Sequence, residues 1–131
     1  MTPSDIKLHK KTGVLELKYP DGGIYSLTAE FLRVHSPSAE VRGHGPGQEV
    51  LQTGKMHVKI GAIDTVGNYA IRLNFDDGHN TGIYSWEYLR ELTLHHSELW
   101  QEYLKRLHAA NARREPIAEG VQIVNIMPLK H

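Results

Sequence analysis

Apolar and polar positions alternate with a period of two through much of the chain, and from Trp86 onward the period becomes helical. Leu15, Leu17 and Tyr19 against Glu16 and Lys18 mark a strand with one wet face. Together with residues 6–10 this predicts a hairpin closed at Lys11-Thr12-Gly13. Pro20-Asp21-Gly22-Gly23 is a turn whose proline presets φ, and residues 24–27 continue the sheet. Thr28 then caps a short helix carrying Phe31, Leu32 and Val34. Met56, Val58 and Ile60 alternate with Lys55, His57 and Lys59, which predicts a strand over 55–60. Gly67-Asn68 turns the chain into the next strand, where Tyr69, Ile71, Leu73 and Phe75 share one face and Ala70, Arg72 and Asn74 the other. Asp77-Gly78 suits a two-residue hairpin turn, so His79 and Asn80 are expected at its tip and residues 81–84 as the returning strand.

Ser85 reads as the N-cap of a helix beginning at Trp86, with Glu87 complementing the positive end of its dipole. Leu89 and Leu92 share a face, and Ser97 suggests a second cap. Leu99, Trp100, Tyr103, Leu104 and Leu107 form an apolar stripe. Pro116 ends regular helix. The tail over 116–131 contains VQIVNIM, an apolar, β-prone run expected to pair with a sheet edge or a partner. The reading is α+β: an antiparallel β-sheet of hairpins with C-terminal helices packed on one face, in two layers, as a domain over 1–115 and a tail over 116–131.

One segment breaks the rhythm. Residues 35–54 hold two prolines, four glycines and scattered aliphatics, and a loop of that length is more often functional than merely connecting. Ser36, Ser38, Glu40, Arg42 and His44 make it polar without a run of one charge.

Composition narrows the chemistry. A chain of 131 residues buries roughly two thirds of its unfolded surface and needs no disulfide or metal for stability. Fifteen Lys and Arg balance fifteen Asp and Glu, so no global field gathers nucleic acid or an anionic membrane. The absence of cysteine excludes disulfides, thiolate metal sites and cysteine nucleophiles. No apolar run suits a signal peptide or a membrane span, so a cytoplasmic location is expected. Nine histidines are the one compositional hint of chemistry.

Leu32-Arg33, Ser36-Pro37-Ser38-Ala39-Glu40, Gly43-His44-Gly45-Pro46, Val66-Gly67-Asn68-Tyr69 and Asp76-Asp77-Gly78-His79 through Ser85-Trp86 together resemble the N-terminal domain family of gamma-butyrobetaine hydroxylase-like proteins. The resemblance covers about residues 6 to 95, and its motifs are specific only when taken jointly. It implies a domain of unknown function that stands alone in bacterial members. In eukaryotic members it precedes a 2-oxoglutarate and iron(II) oxygenase domain, as a zinc-bearing accessory and dimerisation unit. In a plant plastid relative it is fused to a P-loop scaffold for iron–sulfur cluster assembly. The zinc site of the oxygenase-linked members takes a Cys-x-Cys-x-x-Cys run after a Leu-Arg pair, plus a later histidine. Here Ser36, Ser38 and Val41 stand at the cysteine positions, and His79 falls on the histidine. Serine is a poor zinc ligand and valine is none, so the inherited site is expected to be absent.

Other constellations are weighed against simpler readings. His79, oriented by Asp76 or Asp77, could hold a metal or act as a general base, as in a small hydrolase or lyase centred on His79 and Asp77. An exposed hairpin-tip histidine beside turn-forming carboxylates accounts for the same residues. His44 and His79 could converge, with Glu40 or Asp77 completing a site for a single iron or zinc ion, whereas a Gly-His-Gly-Pro turn needs no ligand. His96-x-Glu98 matches half of an iron(II) facial triad but sits at a helix junction, where residues two apart diverge. Ser85 lacks the flanking glycines of a nucleophile elbow. The GHGPG stretch lacks the Lys-Ser/Thr pair of a phosphate loop. Lys105, Arg106, Arg113 and Arg114 form an ordinary solvated helix end.

The expectation is therefore a non-catalytic interaction or accessory module, monomeric or homodimeric, linked by resemblance to iron–sulfur assembly or oxygenase-related metabolism. Its surface is expected to combine the 36–47 loop (Ser36, Ser38, Glu40, Arg42, His44) with Asp77, His79, Tyr84 and Trp86. No cofactor, nucleic acid or membrane partner is expected.

Overall fold

The computed structural model describes residues 1–117, so the expectation for the VQIVNIM tail lies outside the described residues. Among the described residues six strands and four helices follow one another as β1 (Asp5–His9), β2 (Val14–Lys18), β3 (Ile24–Thr28), α1 (Ala29–Val34), α2 (Ala39–Arg42), β4 (Ile60–Val66), β5 (Ala70–Phe75), β6 (Ile83–Ser85), α3 (Trp86–Leu94) and α4 (His96–Ala109). The class is α+β, with the strands in two three-stranded antiparallel sheets, β1-β2-β3 and β4-β5-β6, rather than one.

In the first sheet Leu15 lies opposite both Leu8 and Leu27, which lines up the apolar face across all three strands. In the second, Ile71 faces Thr65 on one side and Tyr84 on the other. Leu15, Leu17 and Leu27 from one sheet meet Ile60, Ile71, Leu73 and Tyr84 from the other in a single core, closed by Phe31 and Leu32 of α1 and by Leu89 and Leu92 of α3. A satellite cluster of Val34, Tyr103 and Leu107 seats α4, with Leu51 packed against it.

Local chemistry explains the helix starts. Thr28 Oγ1 accepts the Phe31 N–H, and Ser85 Oγ accepts the Tyr88 N–H, as a cap requires. Within the expected loop a short helix, α2, forms because Ser38 Oγ accepts the Glu40 N–H. Ser97 is no cap: α4 begins a residue earlier, its N-cap His95 makes no side-chain capping bond, and Ser97 lies exposed inside the helix.

The strand expected over 55–60 is displaced. Only Ile60 of that stretch pairs, opposite Phe75, and the strand runs on to Val66 because the Gly67-Asn68 turn must hand it to β5 in register. Residues 55–59 are held instead by irregular bonds: Val58 N–H to Lys55 O, and Lys59 N–H to Asp76 Oδ1. Here, too, residues 113 and 114 are tied in. Gly54 N–H donates to Arg113 O and Met56 N–H to Arg114 O, while Arg114 forms a bidentate pair with buried Glu30 at 2.9 and 2.7 Å.

Candidate functional site

Ser36 and Glu40 of the 36–47 segment meet the β5–β6 connection beside the C-terminal end of α1. After His35 caps α1, Ser36 is carried beneath the main chain of Gly82, with its hydroxyl 2.8 Å from His79 Nε2. A Cβ on Gly82 would run into Ser36 Oγ, so only glycine lets the two segments approach this closely. Ser36 is 1% and His79 6% exposed. His79 is thus buried, not a solvated hairpin tip. The turn that carries it closes with His79 O accepting the Phe75 N–H, and the positive φ of Gly78 permits the reversal.

The proton inventory fixes the roles. Nδ1 of His79 faces Glu40 Oε2 at 3.4 Å, and a carboxylate only accepts, so Nδ1 carries the proton. Nε2 is then an acceptor, and Ser36 Oγ, which itself accepts the Ser38 N–H at 3.3 Å, donates its hydrogen to it. Burial, aided by the Arg33 charge, pushes the His79 pKa below its ordinary value, and Glu40 and Asp77 oppose the shift only in part. Glu40 also accepts from Thr81 Oγ1 at 3.2 Å, so α2 is pinned to the β5–β6 connection twice.

Asp77 does not orient the His79 ring. One oxygen accepts the His79 backbone N–H at 3.2 Å; the other takes Arg33 Nε at 2.9 Å and Lys55 Nζ at 2.7 Å. Partial burial opposes its ionisation, but Lys55, the His79 N–H and Arg33 outweigh that and hold its carboxyl below the usual range. Arg33 is buried and also donates to Gln52 Oε1, so the charge is consumed within the fold. A base centred on His79 with Asp77 as its partner therefore has no geometric support.

Serine, histidine and carboxylate do stand in the order of a hydrolase triad, Ser36–His79–Glu40. The arrangement lacks what such a site requires, a nucleophile open to a substrate. Ser36 is 1% exposed under the main chain of Gly82, and Glu40 at the far end is the solvated member.

The inherited metal site does not fit either. Zinc takes Cys, His and carboxylate donors, and the Ser36 hydroxyl, hydrogen-bonded to His79 at 2.8 Å, is a poor substitute for a thiolate. Val41, buried, presents no donor. Nor does the structure assemble the alternative set. His44 is exposed, and among the described residues no group of three or more His, Asp or Glu side chains is arranged to hold an ion.

The remaining predicted surface residues divide sharply. Tyr84 is core: its hydroxyl donates to Leu32 O, and burial raises its pKa. Ser38 is buried as a cap, and Trp86 is half-buried with its Nε1–H on Asn68 O at 2.7 Å. Glu40, Arg42, His44 and Asp77 are the exposed residues among the nine; the Asp77 carboxylate is taken by Arg33 and Lys55, and Arg42 lies 4.7 Å over the Tyr88 ring. Burial of Ser36, Ser38, His79 and Tyr84 thus removes them from any contact surface. Arg33, Lys55 and Gly82 were missed in the sequence reading. Only Arg33 carried a signal, as half of the Leu32-Arg33 motif.

The family model described as "Gamma-butyrobetaine hydroxylase-like, N-terminal" matches residues 6–90. The chain belongs to this family. The gamma-butyrobetaine hydroxylase-like N-terminal fold is also seen in solved structures similar to this one. Two solution NMR structures share 46% and 48% identity with TM-scores of 0.78 and 0.75; each is matched over 95% of this chain and over 98% and 93% of its own. A crystal structure from Acidithiobacillus ferrooxidans, a protein of unknown function in the DUF971 family, is 41% identical over 70% of this chain and 92% of its own, with a TM-score of 0.59. No curated protein matches the chain. His79, where the resemblance places a histidine ligand, has its Nε2 satisfied by Ser36.

Proposed function

We propose that this domain is a non-catalytic accessory module that acts through protein contact. The observation that carries the reading is the closure of its most chemically suggestive residues upon one another. Ser36 and His79 satisfy each other inside the fold, buried Arg33 takes the Asp77 carboxylate, and Glu40, Arg42 and His44 of the same segment are left exposed. Buried networks of this kind rigidify a loop without leaving a reactive group free. The loop so braced is then a rigid platform for recognition.

Family resemblance supports partners in iron–sulfur cluster assembly or oxygenase-related metabolism in the cytoplasm. Balanced charge argues against nucleic acid, and no helix among the described residues is long and apolar enough to cross a membrane. Purified protein tests the reading. The expected result is less than a tenth of an equivalent of iron or zinc, no labelling of Ser36 by a fluorophosphonate, and a co-purifying protein lost on Arg42→Glu with the melting temperature unchanged. Stoichiometric metal that depends on His79, or covalent labelling of Ser36, overturns it.

A further inference from the structure

A cleft of about 180 Å³ opens beside Ser36, between residues 34–52 and helices α3 and α4. Small-molecule sites usually measure roughly 300–1,000 Å³, so this volume suits one side chain better than a free ligand. Its walls include Val34, Val41, Leu51 and Leu99. Among them stands His35, whose Nδ1–H donates to Phe31 O at 2.8 Å and whose ring packs on Phe31 with centroids 4.5 Å apart. That bond fixes the tautomer and leaves Nε2 as a bare acceptor. Nε2 has no partner among the described residues and is not sealed from solvent. Burial, aided by Arg106 and His96 against the Phe31 bond, pushes the His35 pKa down and keeps the ring neutral.

We propose that this cleft is an anchor pocket for a tyrosine side chain of a partner protein, with the phenol O–H donating to His35 Nε2. This rests on the reading of the domain as an interaction module and names the chemistry its partner presents. An apolar side chain would strip water from Nε2 and return no hydrogen bond. A lysine or arginine would meet Arg42 and Arg106 as well as Glu49 and Glu102, so the lining offers a charge no net attraction to repay its desolvation. A serine could donate but would leave the aliphatic walls wet. Tyrosine joins an apolar body to a donor at its tip, the reason it is enriched at interface centres. Glu49 and Glu102 also line the cleft and, like Arg42 and Arg106, form no ion pair among the described residues. A partner segment with charges of both signs flanking its tyrosine complements them.

The test uses N-acetyl-tyrosinamide and N-acetyl-phenylalaninamide, titrated separately into the isotope-labelled protein and followed by NMR. The tyrosine amide is expected to shift the signals of His35, Leu51 and Leu99, binding about three- to tenfold tighter than the phenylalanine amide, the worth of one net hydrogen bond. His35→Leu should erase that preference while retaining weak binding of both. Should His35→Leu fail to fold, Leu99→Trp, which fills the cleft and leaves His35 in place, must abolish both. Equal binding of the two amides to the unaltered protein, shifts confined to another surface, or no binding overturns the proposal. Since neither amide requires the physiological partner, the pocket can fail while capture through Arg42 still supports the module, and the reverse.

Discussion

Ser36 Oγ and His79 Nε2 lie 2.8 Å apart across 43 residues of sequence, both buried, with the main chain of Gly82 pressed against the serine. Ser36→Ala leaves a buried imidazole nitrogen unpaired and should lower stability by about 1–3 kcal/mol. Gly82→Ala should cost a similar amount by overpacking, about 1–3 kcal/mol. Since the added methyl's worst contact is the serine oxygen itself, the two changes should combine to less than their sum. Urea melts of the two single variants and the double variant check the coupling, and strict additivity would contradict it.

His79 and His35 both have pKa values lowered on folding, from an ordinary 6.5, chiefly by burial. The unfolded chain therefore takes up protons before the native state does. Their contribution is complete above about pH 6.5 and declines as the pH falls below it, until the folded pKa values are passed. Asp77 acts lower: its folded pKa is depressed from 3.8, so its contribution is present above that value and is lost as the pH falls further. Melting temperatures from pH 7.5 to 3 should fall in two stages. His79→Asn should flatten the upper stage, and Asp77→Asn the lower.

If Ser36, Ser38 and Val41 stand where relatives of this family place cysteines, thiolates at those positions next to His79 should recreate a tetrahedral site of three sulfurs and one nitrogen. The variant Ser36→Cys/Ser38→Cys/Val41→Cys is expected to bind about one zinc per chain and to melt higher with the metal than without it. Adding His79→Ala should weaken the binding. Elemental analysis and chelator titration measure both effects.

Arg114 holds Glu30, a carboxylate only 5% exposed, through two hydrogen bonds and also covers the Trp100 ring. Arg114→Ala should destabilise the protein by about 1–3 kcal/mol, less than for a fully buried pair because the guanidinium is partly solvated. Arg114→Lys should recover only part of this, since an ammonium cannot make the paired bonds. Thermal melts at low and high salt distinguish the loss of a buried pair, which salt barely alters, from the loss of a surface one.

Much of the framework was legible because its causes are local. Thr28 and Ser85 cap what their position says they cap, and the hairpin through Lys11-Thr12-Gly13 forms where alternation breaks. Alternation alone could not place the strand at Ile60: Met56 and Val58 repeat as a strand does, but pairing is decided by β5. Ser97 had the chemistry of a cap without the geometry, since the chain re-enters helix at His96. The α+β class followed, whereas division into two sheets did not, because which strand neighbours which is settled by packing at long range.

The site was harder for the same reason. Asp-Gly announces a turn and so suggested a solvated histidine, yet nothing near His79 in sequence reveals that Ser36 will bury it. Gly82 carries no side chain to read, although its bareness lets the site close.

The two main-chain bonds from Gly54 and Met56 to residues 113 and 114 set an order on the birth of this protein. The middle of the chain leaves the ribosome well before the residues that fasten it. Until the last of those emerges, the stretch ahead of β4 has neither these bonds nor the Arg114 clasp on Glu30. Nascent chains halted short of Arg113 should be cut by protease near residues 54–59, and chains released beyond Arg114 should resist.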